Sequence, residues 1–212
     1  MPTLYTMPGT CSLAPNIAIA WLDAPVEIET MAYGDHKKDA YRSINPKGKV
    51  PALQFEDGDV LTEAAAILGW IGAEHGGEGY ARDTKLGRKE AEALSYMTSE
   101  VHADFGPHFA AQAFADGEGC QEAVKAKAYD KVAAHYRYME GVLRAHGGEW
   151  YLGERSFADA YLYVLTRWAE QTPIGIHQTP LLKEHRDRME ADERVQAALE
   201  RQNMKPVGKA NG

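Results

Sequence analysis

Cysteine is scarce in this chain: Cys11 and Cys120 are the only two among 212 residues. Two thiols so far apart make no disulfide framework, and a reducing compartment, the cytoplasm by default, is expected. Basic clusters are missing too. The 31 acidic residues outnumber 23 lysines and arginines, for a formal charge of −8, and without a basic stretch to neutralise phosphates a nucleic-acid partner is disfavoured. No apolar run approaches the roughly 20 residues that span a bilayer. Met1-Pro2-Thr3-Leu4 opens no secretory signal, so no membrane partner is expected. Metal-ligand spacing is absent, because His102 and His108 stand six apart with Pro107 expected to kink the helix between them. There is no internal repeat. What is present, 44% hydrophobic and 25% charged residues, suffices for one large or two small domains with a buried core.

The chain divides by pattern. Residues 3–7, 26–31, 51–55 and 60–62 are β-prone and alternate with helical periods at 13–22 and 64–74, which predicts a small α/β unit over residues 1–76. Asp57-Gly58, between the last two β-runs, predicts a tight hairpin. The glycines of His75-Gly76-Gly77-Glu78-Gly79 read as a linker. Residues 84–204 keep helical period nearly throughout, and Val124, Ala128, Val132, Tyr136, Met139 and Leu143 form one apolar stripe. Ser156 and Asp159 have capping-box spacing, worth ~1 kcal/mol, which assigns them to folding. Residues 205–212 are expected to form a flexible tail.

Chemistry concentrates in the first half. Cys11 stands in Pro8-Gly9-Thr10-Cys11-Ser12, between a β-run and a helical pattern. The free N–H groups and positive dipole end of that helix are expected to favour thiolate over thiol, which makes the sulfur a candidate nucleophile. Three residues on is Ala14 rather than a second cysteine, so any redox or transfer step needs an external thiol. In Asn45-Pro46-Lys47-Gly48-Lys49-Val50-Pro51, a proline opening a β-run can hold a cis bond and leave backbone groups free for a peptide-like ligand. Thr62 is expected to cap the next helix, and Glu63 to meet either its dipole or a ligand's ammonium. Tyr5 is assigned to sheet packing and Cys120 to a structural or bystander role. Trp168, Tyr163 and Phe109 either line an apolar cleft or belong to the helical core.

Taken in order, Pro-Gly-Thr-Cys11-Ser12-Leu-Ala-Pro, Asn-Pro-Lys-Gly-Lys-Val50-Pro51, Thr-Glu63-Ala-Ala-Ala-Ile, Ser99-Glu100-Val101-His102 and Ser156-Phe-Ala-Asp159-Ala-Tyr resemble the bacterial cysteine-containing (beta-class) glutathione transferases along nearly the whole chain. The resemblance implies an α/β plus all-α architecture: a thioredoxin-like N-terminal domain followed by an all-helical C-terminal domain. It also implies a homodimer, glutathione as cosubstrate, no metal, and a detoxifying role. Position by position, Cys11 would lie beside the glutathione sulfur, with Ser12 a hydroxyl donor nearby. Val50 would offer its backbone to the cysteinyl part, with Pro51 the cis-proline. Glu63 and the Ala64 N–H would hold the γ-glutamyl end. Many relatives have serine where Ala64 stands, so one side-chain hydrogen bond is missing. Lys37 resembles the lysine that reaches the glycyl carboxylate. His102 would face the cleft, and Ser99 and Glu100 would contact glutathione, in some members across the dimer interface. The second substrate would be an electrophilic carbon, giving a thioether, or a disulfide, giving exchange. Two other readings stay open: a glutathione-dependent disulfide reductase, and a binding protein for glutathione or hydrophobic ligands whose cysteine is inert.

Overall fold

A computed structural model of the chain describes residues 1–81 and 83–207. The first half builds β1 (Thr3–Thr6), α1 (Leu13–Leu22), β2 (Glu27–Thr30), the short α2 (Asp39–Arg42), β3 (Ala52–Gln54), β4 (Val60–Thr62) and α3 (Ala64–His75). The sheet order is β2-β1-β3-β4. Strand β1 runs parallel to β2 and antiparallel to β3, and β3 pairs antiparallel with β4. This is the thioredoxin-like arrangement. Its hairpin closes as Asp57-Gly58 requires: Gly58 takes φ +90°, a conformation that side chains resist, and Phe55 N–H donates to the Asp59 carbonyl at 2.8 Å. One face of the sheet lies under α1 and α3. The other carries Met31, Tyr41 and Ala52 beneath the loop that leads to Val50.

The second half is helical. Thr84 caps α4 (Lys85–Tyr96) by accepting from Gly87 N–H at 3.0 Å. A wide π-turn over Met97–Val101 leads into α5 (His102–Asp104). Pro107, in the first turn of α6 (Gly106–Ala110), separates the two helices; the chain breaks there rather than merely kinking. In α7 (Glu118–Ala145) the stripe from Ala128 to Leu143 is buried as its spacing predicts, with Val124 at the margin. Glu140 is buried beside it and accepts from the N–H groups of Leu181 and Leu182, in the first turn of α9 (Pro180–Ala191). A carboxylate there satisfies orphan donors and meets the helix dipole. Every residue of α8 (Phe157–Ala169) is buried, and the capping box of Ser156 and Asp159 starts it.

The two halves share one core. Helix α1 packs against α8 and against α10 (Glu193–Arg201), with Leu13 to Trp21 buried all round. Polar contacts fix the seam: Asn16 donates to the Ala198 carbonyl at 3.0 Å and Trp21 Nε1 to Asp192 at 3.1 Å. A turn over Gly77–Tyr80 follows α3 where the sequence predicted a linker. Of the expected flexible tail, residues 205–207 are tied down: Arg167 donates to the Lys205 carbonyl at 2.9 Å and Val207 N–H to Glu190 at 2.7 Å. Residues 208–212 lie outside the described residues. Among the described residues no helix is long and apolar enough to cross a membrane.

Candidate active site

The turn between β1 and α1 is held by its own hydroxyls. Ser12, fully buried, accepts from Met7 N–H at 3.0 Å and lies 2.7 Å from the Thr10 hydroxyl, which itself donates to the Met7 carbonyl at 2.8 Å. The Ser12 hydroxyl is thus engaged in shaping the turn. Gly9, at φ +77°, makes the reversal, and its carbonyl accepts from Trp168 Nε1 at 2.9 Å, which fastens the turn to α8.

Cys11 does not behave as the helix-entry argument predicts. Helix α1 begins at Leu13 with Ser12 as its N-cap, so the sulfur sits outside the first turn and is 9% exposed. Burial pushes its pKa from 9.0 up to about 12, against the weaker opposing pull of the Tyr161 hydroxyl and Lys49. The magnitudes explain the outcome. A helix end supplies typically 0.3–1 kcal/mol, whereas that rise corresponds to roughly 4 kcal/mol. The resting sulfur is a thiol, directed at the Val50 carbonyl at 3.8 Å. In the free protein its alkylation by iodoacetamide at pH 7 is therefore expected to be slower than that of Cys120, which is exposed. Peptide mapping after brief labelling checks this, and faster labelling of Cys11 would contradict it.

The loop facing Cys11 is braced from behind. Tyr41 and Asn45 both donate to the Lys49 carbonyl at 2.7 Å, and the following Val50-Pro51 bond is cis. Thr62 is not the helix cap that its position before α3 predicted. It ends β4, and its hydroxyl accepts from Lys47 at 2.9 Å. Glu63 takes the cap position instead, with no side-chain cap bond and with φ +72°, a strained conformation for a non-glycine residue. Its exposed carboxylate pairs with Lys47 at 2.7 Å. Ala64, buried, begins α3 and has no hydroxyl to offer.

His102 comes to the same place from the second half. Its Nδ1 lies 2.7 Å from the Tyr161 hydroxyl, and its ring meets Trp168 edge-on at 4.7 Å. Burial, reinforced by Lys49, lowers its pKa from 6.5, so the imidazole is neutral at pH 7. Phe109 is 49% exposed and packs on Trp168 at 5.0 Å, forming an open apolar wall. Tyr163 is core: it is fully buried, and its hydroxyl is bonded to Arg167 and Glu190. Tyr5 packs in the sheet as expected, edge-on to Tyr41 at 5.6 Å.

Cys11, Val50, Pro51, Glu63 and His102 thus come together at one place, with the Cys11 sulfur 3.8 Å from the Val50 carbonyl and Lys49 and Glu63 acting on both Cys11 and His102. Ser12 and Ala64 adjoin Cys11 and Glu63 in the chain, whereas Lys37, Ser99 and Glu100 form no side-chain hydrogen bond or ion pair with these residues. Lys37 is exposed on a turn over Asp35–Lys37. Ser99 and Glu100 line a cavity of about 550 Å³, shared with Tyr96 and Tyr138, whose lining includes none of Cys11, Val50, Glu63 and His102. Sequence reading missed Lys47, Lys49, Thr10 and Tyr161 as members of the site. The two lysines had a local signal in Lys47-Gly48-Lys49 beside the cis-proline; Tyr161 stood inside the capping motif with nothing to mark its hydroxyl.

The model of the glutathione S-transferase N-terminal domain matches residues 10–74, and that of the C-terminal domain matches residues 96–193. The chain belongs to the glutathione S-transferase family. It is 32% identical to glutathione S-transferase GST-4.5 of Xanthomonas campestris, over 95% of this chain and 98% of that protein. Its fold superposes on the glutathione S-transferase from Xylella fastidiosa with a TM-score of 0.88 at 33% identity, covering 97% of this chain and 100% of that one. A sphingomonad glutathione S-transferase complexed with glutathione superposes at 0.83 with 30% identity, over 96% of this chain and 100% of that one. The fold and the transferase activity implied by the sequence resemblance therefore hold.

Proposed function

We propose that this transferase binds glutathione across the groove of the Cys11 turn, the Val50-Pro51 loop and the start of α3. The observation that carries the assignment is the convergence of a buried sulfur, the Val50 backbone beside the cis-proline and an exposed carboxylate. A tripeptide laid there would pair backbone with Val50, and its α-ammonium would meet Glu63 and its carboxylate the Ala64 N–H. Its sulfur would end beside Cys11. A protonated Cys11 is a hydrogen-bond donor, and a donor at that position stabilises glutathione's own thiolate. The thiolate then attacks an electrophilic carbon, the new C–S bond forms as the leaving group departs with its electron pair, and the thiol proton goes to solvent. Phe109 and Trp168 offer the apolar wall for that second substrate. Thiol–disulfide exchange through Cys11 is the second activity, favoured by the sulfur's place at the meeting of both halves.

The same reading assigns residues 1–76 to glutathione and 84–204 to the second substrate. Ser99 and Glu100, exposed and remote from Cys11 in one chain, fit a homodimer in which they serve the partner's groove. Lys37 is assigned to the glycyl carboxylate, and the chain to a detoxifying role in the reducing cytoplasm. Titration calorimetry with glutathione, together with turnover of aryl halides and of low-molecular-weight disulfides, tests the proposal. Glu63→Gln, which keeps the shape and removes the charge, should weaken glutathione about tenfold, the loss of one charge-assisted bond of about 1.5 kcal/mol. Absence of heat with glutathione would defeat the reading. Heat without turnover of any electrophile or disulfide would leave only a binding protein.

A further inference from the structure

The segment after α10 reaches back to the Cys11 turn. Met204 N–H donates to the Leu199 carbonyl at 2.9 Å, and the residues that follow are gripped from α8 and α9: Arg167 holds the Lys205 carbonyl at 2.9 Å and Glu190 the Val207 N–H at 2.7 Å. Both gripping side chains are buried, and they pair with each other at 3.5 Å. With its backbone fixed on either side, the half-buried Met204 packs on the shared core. Its sulfur accepts from Gly9 N–H at 3.3 Å, across 195 positions of sequence. The Gly9 carbonyl is held too, by Trp168 Nε1 at 2.9 Å. Apart from its chain neighbours, no atom comes within 4 Å of where a Cβ would stand on Gly9. This exposed residue is therefore placed by its backbone bonds rather than by packing.

We propose that Met204 is a positioning residue for the reaction of Cys11: its thioether, together with Trp168, fixes Gly9 and so the pose in which the Cys11 sulfur, two residues on, meets its partner. The inference rests on the proposed exchange at Cys11. There the Cys11 sulfur bonds to one sulfur of glutathione disulfide, the S–S bond breaks, the other sulfur leaves with the electron pair, and the thiol proton ends on the departing glutathione. Inside the turn, Ser12 and Thr10 bond to the backbone of Met7. Bonds within a turn keep its shape, and bonds from another element keep its place. Met204 and Trp168 supply the second kind. A thioether is a weak acceptor, so its loss costs the fold little, whereas a nucleophile that drifts from its line of attack loses rate. Val50 and Glu63, which would pair with the tripeptide, stand on other segments, and binding should survive the change.

Two variants test this. Met204→Leu keeps apolar bulk and removes the acceptor, whereas Met204→Gln returns an acceptor oxygen at similar reach. In the free leucine variant the Gly9 amide proton, followed by NMR, should exchange about fivefold faster, the scale of one net hydrogen bond. Iodoacetamide should alkylate Cys11 about fivefold faster as well, because a turn that drifts off α8 uncovers its buried sulfur. Exchange with glutathione disulfide should move the other way, with kcat down about fivefold and KM within about twofold of wild type. Met204→Gln should bring all three back to within about twofold. Gly9 exchange and alkylation unchanged in Met204→Leu, a loss carried by KM alone, or a glutamine variant no better than the leucine one would overturn the role of Met204. If the wild type takes up no glutathione from the disulfide, the proposed exchange fails on its own, and the two free-protein readouts still uphold or overturn the positioning.

Discussion

Asp159→Ala should lower the stability of this protein by about 3–5 kcal/mol, the scale of a lost cap plus two buried donors left without an acceptor. The carboxylate is fully buried and receives four donors: Ser156 N–H at 2.8 Å, the Ser156 hydroxyl at 3.1 Å, Tyr151 N–H at 2.8 Å and His185 Nε2 at 2.9 Å. A capping box alone is worth ~1 kcal/mol. The larger figure arises because alanine also strands the Tyr151 amide and the His185 ring in the core, at about 1–3 kcal/mol for each unsatisfied group. The lesion lies at the start of α8, which has no exposed residue along which to fray. For a chain of this size the loss corresponds to roughly 10 °C in Tm. Asp159→Asn, which retains an acceptor, should fall between the two. A melting temperature within 2 °C of wild type for the alanine variant would show that the four donors find other partners and that the capping account is wrong.

Cys11→Ala should abolish the glutathionyl adduct and reduce disulfide exchange by about 10³-fold or more, the scale at which a covalent route is replaced by unassisted collision. Conjugation to carbon electrophiles should fall far less, by about tenfold, because the variant removes one hydrogen bond to the glutathione thiolate, worth about 1.5 kcal/mol, and not the attacking sulfur. The cavity left is small. Glutathione affinity should change less than about threefold, because the backbone of Val50 and the Glu63 carboxylate are retained. Intact-protein mass after incubation with glutathione disulfide reads the adduct directly. Equal loss of exchange and conjugation would mean that Cys11 attacks in both reactions, and unchanged exchange would move the chemistry to another sulfur.

The sequence marks those parts of the site whose geometry is local. Cys11 at a strand–helix junction, the proline after Val50 and the three-residue spacing of Ser156 and Asp159 each carry their structural consequence within a few residues. The ends of α1 and β4 and the stripe of α7 are legible for the same reason: period and capping are short-range properties. The ionisation of Cys11 is not legible in the local pattern, because burial, the largest cause of its raised pKa, is set by residues far away in the sequence. Tyr161, which opposes that rise, lies 150 positions away, and burial outweighs the helix end that the local pattern reveals. His102 could be placed on a helix but not beside Tyr161 and Trp168, since helical period gives a face and not its partner. Glu63 was legible as a first-turn acid; its left-handed backbone, which turns the carboxylate outward to Lys47, was not, because nothing in Leu-Thr-Glu-Ala announces it.

Helix α1 has its own lesson for re-engineering. Wedged between α8 and α10 on one side and α3 on another, with buried side chains nearly all round, it belongs to both halves. A chimera that grafts this first half onto the helices of another family member would have to match Asn16 to a foreign carbonyl and Trp21 to a foreign carboxylate. Substrate range is better altered by point changes at Phe109 and its surroundings, which face outward, than by trading halves.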